Sequence, residues 1–329
     1  MVHPSADARP HHPHVLFPIM SVLRAGAWVC VLIGVTQGVL GAEERQVSVV
    51  LSRSIPPYLE ALEGAQEVLH DAGIQAADVH DVNGDPKEGV RIAVELTKRH
   101  PDVVLTVGTE ATQLISARTP GVPVIFSMVV HAETLMSANP SLAGASMEVA
   151  PQEQLRWLTK LLPNATRIGL LYTPSLHEPG VIERYRRAAH ELGVDLVVEA
   201  VHDVTEVPLH LRTLLPTIHA FWLIPDETLL APETARHIML ETLRGRVPVL
   251  APSWAFVEEG ALVAVACDYH DVGRQTGELA VRVLRREPLG SDRVLEARLA
   301  HLYLNMRIAK ALGIPVPPEL VAHADRTVQ

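Results

Sequence analysis

VVLTVGTEATQLI, at residues 103–115, sets the pattern from which the fold follows. A short apolar run that favours a strand stops at Gly108, and a stretch with helical spacing begins directly after it. A strand that breaks at glycine and feeds a helix leaves backbone N–H groups free at the start of that helix. Those donors, with the hydroxyls of Thr109 and Thr112, predict either a site for a small solute or a helix cap with no further role.

The same alternation of apolar runs and helical stretches repeats from Glu43 onward. Strands are predicted at 47–52, 76–82, 102–107, 123–129 and 142–147, and in a second series at 167–173, 194–201, 220–226, 247–253 and 261–268. Helices are predicted at 57–73, 87–100, 110–118, 151–162, 270–286, near 206–215 and near 232–244. A further helix is predicted to end at Gly193. Strands that alternate with helices form parallel sheets, so the two series predict two Rossmann-like α/β lobes.

Polar side chains follow the apolar runs in both series. Ligands of such sheets bind outside the carboxyl ends of the strands. This rule selects the candidate ligand-binding residues Ser52, Ser54, Thr109, Thr112, Ser127, Tyr172, Asp226, Ser253 and Trp254. A carboxylate with an aromatic ring suits an ammonium group, and a helix start suits a small carboxylate. A helix cap at Asp226 and a core position for Trp254 remain alternatives.

Common catalytic and cofactor motifs are missing from the sequence. It contains no Gly-x-Gly, no Gly-Lys, no Gly-x-Ser-x-Gly, no His-Glu-x-x-His and no paired-cysteine metal site. Four His-Asp pairs lie at predicted helix or strand ends, where capping explains them. We therefore expect a binding protein with no catalytic residues, no metal and no cofactor, and an exported α/β hydrolase is the weaker alternative.

The N-terminus and the charge indicate export. MSVLRAGAWVCVLIGVTQGVLGAEER, at residues 20–45, has the basic, apolar and small-residue regions of a secretory signal peptide. Residues 1–42 are therefore predicted to be a leader that is cleaved, with Met20 as a possible true start, which places the mature chain in the periplasm. The net charge of −10 argues against nucleic acid as a partner. Cleavage would leave a single cysteine, Cys267, and so no internal disulfide.

LNMRIAKALGIPVPPELVAHADRTVQ, at residues 304–329, resembles the closing signature of ABC-transporter substrate-binding proteins. PDVVLTVGTEAT (101–112) and EQLRWLTKLLPNATRIGLLYTPS (153–175) resemble internal segments of the same family. The resemblance implies a type I periplasmic-binding fold, in which two lobes close on a solute and deliver it to membrane permease subunits. It also implies similarity to receptors for tryptophan and tyrosine, and Ser52, Thr109, Ser127 and Asp226 match positions that contact ligand there.

The resemblance further implies a hinge of crossing segments. Lobe 1 is expected to comprise residues 43–148 plus about 269–290, and lobe 2 residues 149–268 plus about 291–329. A monomer is expected. One departure from the family lies at HAETLMSANPSLAG (131–144), which replaces Asp-Pro-Val and a glycine-rich turn beside the expected cleft. The ligand is therefore left open, as is a role as the sensor subunit of a membrane signalling protein.

Overall fold

The chain folds into two α/β lobes, each built around one β-sheet. A computed structural model describes residues 45–139, 141–177, 180–290 and 293–329. The predicted leader at residues 1–42 lies outside these described residues. Within the described ranges, no helix has the length and apolar character needed to span a bilayer.

Lobe 1 begins with five strands that alternate with four helices. They are β1 (Val47–Leu51), α1 (Pro56–Asp71), β2 (Ala76–Asp81), α2 (Pro86–Arg99), β3 (Val103–Val107), α3 (Thr109–Ser116), β4 (Val124–Val129), α4 (Ala132–Ala138) and β5 (Ala143–Ser146). Alternate residues of the strands enter separate apolar clusters on the two faces of the sheet, as Val49 and Val50 do. Burial on both faces explains why these strands read as continuous apolar runs.

Lobe 2 follows with the same alternation of elements. They are α5 (Pro151–Leu161), β6 (Arg167–Tyr172), α6 (Val181–Glu191), β7 (Asp195–Ala200), α7 (Val207–Leu214), β8 (Ala220–Trp222), α8 (Glu227–Leu230), α9 (Pro232–Arg244), β9 (Val249–Ala251), α10 (Trp254–Glu259) and β10 (Val263–Cys267). The last elements are α11 (Tyr269–Leu284), β11 (Val294–Leu295), β12 (Ala300–Asn305), α12 (Met306–Leu312), α13 (Pro318–His323) and β13 (Arg326–Val328).

The strand orders of the two sheets show that the lobes share one topology. The first sheet has the order β11-β5-β4-β3-β1-β2 and the second has β13-β12-β10-β9-β8-β6-β7. All neighbouring strands pair in parallel except β10 and β12, which are antiparallel. Strand β3 of lobe 1 and strand β8 of lobe 2 therefore occupy equivalent places, each beside the first strand of its lobe. The predicted fold class of two Rossmann-like lobes is confirmed.

Three chain segments cross between the lobes and form the hinge. They connect β5 to α5, β10 to α11, and β11 to β12. The Ala297 N–H donates to the Glu148 carbonyl at 3.1 Å, and the Asp268 N–H donates to the Leu299 carbonyl at 3.1 Å. These backbone bonds tie the three crossings to one another.

Helix α11 follows a strand of lobe 2 but packs against α1 and β4 of lobe 1. The two helices approach closely because glycines face the contact. A Cβ atom on Gly273 would lie 1.8 Å from the Ala61 carbonyl oxygen, and one on Gly64 would lie 2.0 Å from the His270 carbonyl oxygen. Any larger residue at either position would push the helices apart.

Several elements differ from the sequence expectations. Strand β11 pairs with β5 in the first sheet, with Val294 opposite Gly144, so residues 294–295 belong to lobe 1 and not to lobe 2. Residues 132–138, expected within a loop, form helix α4. Strand β13 and helices α8 and α10 were not predicted, because they are short and their apolar spacing is not distinctive. Strand β12 was also missed, although its six residues carry leucines at alternate positions.

Candidate ligand-binding cleft

A cavity of about 510 Å³ lies between the lobes at the carboxyl ends of their strands. Lobe 1 contributes seven lining residues, Thr109, Gln113, Val130, His131, Thr134, Leu135 and Met147. Lobe 2 contributes Ser175, Asp226, Leu230, Ser253 and Phe256, and the hinge side adds Cys267 and Tyr269. Pockets for small molecules usually span roughly 300–1,000 Å³. The cavity therefore has the size and position of a small-solute site.

The N-terminus of α3 forms one wall of the cavity. Gly108 precedes the helix with φ of +91° and supplies no side-chain cap. Two hydrogen bonds fix the first turn. Ser52 Oγ accepts from the Ala111 N–H at 2.9 Å, and the Gly108 N–H donates to the Ser127 carbonyl at 2.8 Å. The N–H groups of Thr109 and Glu110 have no acceptor within their own helix. They leave partial positive charge beside the cavity.

The two threonines of α3 have different environments. Thr109 lines the cavity, and its Oγ1 atom is 3.4 Å from the Val130 N–H. Thr112 is fully buried, donates from Oγ1 to the Gly108 carbonyl at 2.8 Å and lies 2.9 Å from Thr106 Oγ1. Thr109 therefore borders the cavity, whereas Thr112 stabilises the turn.

Asp226 caps α8 on the opposite wall. Its Oδ1 atom accepts from the Thr228 and Leu229 N–H groups at 3.0 and 3.2 Å and from Thr173 Oγ1 at 3.1 Å. Its Oδ2 atom accepts from the Thr173 N–H at 2.7 Å and lies 3.0 Å from His177 Nε2. The carboxylate is thus surrounded by five donors from its own chain.

The pKa of Asp226 reflects two opposing causes. Burial raises the pKa of the carboxyl group, but the hydrogen bonds from His177, Thr173 and Leu229 outweigh it and hold the pKa below its ordinary value. Asp226 is therefore ionised at neutral pH even though its side chain has 0% exposure.

Two histidines meet across the cleft. The His131 ring of lobe 1 contacts the His177 ring of lobe 2 edge to face, with centroids 4.5 Å apart. Glu148 of the hinge accepts from the His131 N–H at 2.9 Å, and His131 adopts a left-handed backbone with φ of +54°. His177 Nδ1 is buried and has no hydrogen-bond partner among the described residues.

The other predicted site residues lie away from the cavity wall. Ser52 and Ser127 are buried behind the start of α3, and Ser127 Oγ has no hydrogen-bond partner within the described ranges. Ser54 is exposed and donates to Asp81. The remaining two are aromatic and pack elsewhere, Tyr172 at 6.2 Å from the ring of His177 and Trp254 at 5.4 Å from that of Tyr303. Of the nine candidates, Thr109, Asp226 and Ser253 border the cavity.

Most of the lining residues were not among the sequence candidates, and four of them show why. Gln113 lies one helical turn after Thr109, so the i, i+4 rule could have identified it. Met147 follows β5 and satisfies the strand-end rule. Thr134 and Phe256 belong to α4 and α10, two helices that the sequence pattern did not reveal. Their contribution could not be anticipated without those helices.

The ionisable groups that line the cavity are two acids, one histidine, one thiol and one phenol. Asp226 and Glu227 are the acids that border it, and no lysine or arginine of the described chain does so. Burial raises the pKa of the Cys267 thiol and of the Tyr269 phenol, each to about 12, so both groups are neutral at pH 7. The described residues contain no cluster of three or more side chains suited to hold a metal ion.

Two lobes of equivalent topology, a hinge of three crossings and a cavity between the lobes define a bilobal solute-binding protein. The family model for ABC transporter substrate binding proteins matches residues 46–328, and the chain therefore belongs to that family. The resemblance drawn from the sequence is confirmed.

Individual proteins are similar to the chain in sequence or in fold. The chain is 21% identical over 285 residues to the tyrosine-binding protein of Clostridioides difficile (strain R20291), covering 82% of each chain. It is similar in fold to a Streptococcus pneumonia ABC domain solved with L-Trp, with a TM-score of 0.62, 23% identity and coverage of 87% of this chain and 100% of that one. A substrate binding protein with adhesive properties from Clostridium difficile, solved in a ligand-free, open form, gives a TM-score of 0.70 at 20% identity, with coverage of 87% of this chain and 100% of that one.

Proposed function

We propose that the protein is an exported receptor that closes its two lobes on a small carboxylate with a largely apolar body, an amino acid or a related acid. The observation that carries the proposal is the cavity of about 510 Å³ between the lobes, with the start of α3, which Gly108 does not cap, on its wall. Relatives named for binding tyrosine and L-Trp support a ligand of this size and class.

The proposed pose follows from the chemistry of the walls. The ligand carboxylate accepts from the N–H groups at the start of α3 and from the Thr109 hydroxyl, where the helix dipole favours negative charge. The ligand body lies against the apolar side chains Leu135, Met147, Leu230 and Phe256. Contacts to both lobes favour the closed form, because a ligand shifts such an equilibrium only through its extra affinity for one state.

The proposed destination is an ABC permease in the membrane. Membership of the substrate-binding family supports this partner, and the signal-peptide pattern at residues 20–45 supports export to the periplasm. Co-purification of the ligand-loaded protein with permease subunits from solubilised membranes tests the partner. Recovery of a histidine kinase in place of a permease would assign the protein to sensing.

A thermal-shift screen of the purified mature protein tests the ligand class. Amino acids, small carboxylates, sugars and purines are compared at equal concentration. Ligand at 100 times its dissociation constant stabilises the folded state by about 2.7 kcal/mol, which raises the midpoint measurably. Stabilisation by carboxylates is the expected result, and stabilisation by sugars or purines alone would contradict the proposed class.

A further inference from the structure

We propose that His177 takes the place on Asp226 where the ammonium group of a ligand would bind. The preferred ligand is then a carboxylate without an ammonium group. This inference rests on the proposed function, in which a small carboxylate binds at the start of α3. It makes His177 a specificity-determining residue. It also selects a substrate class, namely monocarboxylates with an apolar body and no α-amino group.

Asp226 is already saturated with hydrogen-bond donors of its own chain. An ionised carboxylate offers about four lone-pair sites. Asp226 already accepts from two groups of Thr173, from the N–H groups of Thr228 and Leu229, and from His177 Nε2. A ligand ammonium would have to displace one of these donors before it could bind the carboxylate.

Asp226 and its partner His177 are also nearly inaccessible. The Asp226 side chain is 0% exposed and the His177 side chain is 2% exposed, although Asp226 borders the cavity. The His131 ring packs against His177 at 4.5 Å from the lobe 1 side, and the Tyr172 ring lies 6.2 Å away on the lobe 2 side. The imidazole of His177 is therefore held in place beside the carboxylate, and both side chains are closed to solvent.

The lining residues that the structure describes also offer no strong substitute anchor for an ammonium group. Glu227 is the other acid that borders the cavity among the described residues, and it is exposed to water, where ion pairs are weak. Glu148 accepts from the His131 N–H and does not line the cavity. An ammonium group that leaves water for this cavity would lose hydration without a strong acceptor in return.

Calorimetry of the mature protein with matched ligand pairs tests the inference. The probes are 3-phenylpropionate against L-phenylalanine and 3-(indol-3-yl)propionate against L-tryptophan. Each pair shares its ring and carboxylate and differs by the ammonium group. We expect the acid without the amine to bind at least about tenfold more tightly in each pair.

Variants at position 177 separate this account from a general loss of the site. His177→Ala removes the donor and opens space at Asp226, so the preference should move toward the amino acid by about tenfold or more. His177→Gln keeps a neutral N–H donor and should retain the wild-type preference. His202→Ala, a change of the same kind at an exposed histidine of lobe 2, should leave both affinities unchanged.

The outcomes distinguish the inference from the proposed function. Tighter binding of L-phenylalanine and L-tryptophan by the wild type would overturn the inference and leave a receptor for amino acids. A loss of that amino-acid preference in Glu227→Gln would then identify the true anchor. Absence of binding by all four probes would overturn both the inference and the proposed ligand class. If His177→Ala does not fold, the wild-type pairs and His177→Gln still decide the question.

Discussion

The starts of α3 in lobe 1 and α8 in lobe 2 occupy equivalent places, yet their chemistry is opposite. Helix α3 follows β3, which lies beside β1, and helix α8 follows β8, which lies beside β6. Gly108 leaves the start of α3 without a side-chain cap, whereas Asp226 caps α8 through the Thr228 and Leu229 N–H groups. The start of α3 therefore has N–H groups without an acceptor in their own helix, whereas those at the start of α8 donate to Asp226. The comparison supports the proposal that lobe 1 recognises the ligand's negative charge and that lobe 2 supplies shape.

Asp226→Ala is expected to have the largest effect, and the effect is on stability. The change leaves four N–H or O–H donors of its own lobe and His177 without their buried acceptor. The free energy of unfolding should fall by about 3–5 kcal/mol. Urea denaturation measures it, with the exposed neighbour Glu227→Ala as a control that should change it by less than about 0.5 kcal/mol. Equal stability of Asp226→Ala and the wild type would show that the hydrogen bonds to Asp226 do not stabilise this wall.

Gly108→Ala should disturb lobe 1 next most strongly. The residue has φ of +91°, and a Cβ atom there would lie 2.6 Å from Ser52 Oγ and 2.9 Å from the Tyr58 ring. We expect the free energy of unfolding to fall by about 2–3 kcal/mol and carboxylate binding to be lost. Gly121→Ala is the matched control, because Gly121 has φ of +83° and open space around it. That control should cost about 1 kcal/mol and preserve binding. A Gly108→Ala variant that binds normally would separate the α3 turn from recognition.

Thr109→Val and Thr112→Val sharpen the comparison within one helix. Thr109 borders the cavity, so its change should weaken carboxylate binding about three- to tenfold without altering stability. Thr112 hydrogen-bonds inside the turn, so its change should lower the free energy of unfolding by about 1–2 kcal/mol without altering affinity. Calorimetry and urea denaturation of both variants measure the two quantities. The reversed result would place Thr112 at the ligand.

Acid should weaken lobe 2 through Asp226. The folded-state pKa of this carboxyl lies below its ordinary value, so its contribution to stability is present above the unfolded-state pKa of about 3.9. That contribution is lost as the pH falls from there through the folded-state pKa. Asp226→Asn cannot titrate, and its stability should depend less steeply on pH below about 4. Unfolding measured between pH 2 and 6 checks this, and identical slopes would contradict it.

The smallest expected effect is on the reactivity of Cys267. Burial raises the pKa of this thiol to about 12, so almost no reactive thiolate exists at pH 8. We expect alkylation of the Cys267 peptide, followed by mass spectrometry, to be slow in the folded protein. A carboxylate ligand should slow it further, because Cys267 lines the cavity. Rapid labelling that ligand does not affect would place the thiol outside the closed cleft.

The sequence predicted the architecture well because its signals are local. Apolar runs alternate with stretches of helical spacing. These runs identified every strand from β1 to β10 within a few residues. The short strand β11 and the chain-terminal strand β13 carry no comparable signal, since two or three residues cannot show a period. The crossing of β11 into the first sheet was therefore missed.

The candidate site was harder to predict because it depends on side-chain direction. The strand-end rule found Thr109, Asp226 and Ser253 at the cavity, but it could not show that Ser52 turns toward the Ala111 N–H. Nor could it show that His177, distant in sequence from Asp226, would become a partner of its carboxylate. Hydrogen-bond saturation of a buried group is a property of the folded chain.

Calorimetric titration with 3-phenylpropionate and its neutral isostere 3-phenylpropanamide tests the central claim most directly, because the two differ only in the group that the start of α3 would receive. The account predicts that the amide binds at least about tenfold more weakly than the carboxylate. Equal affinity for the two compounds would contradict recognition of negative charge by lobe 1.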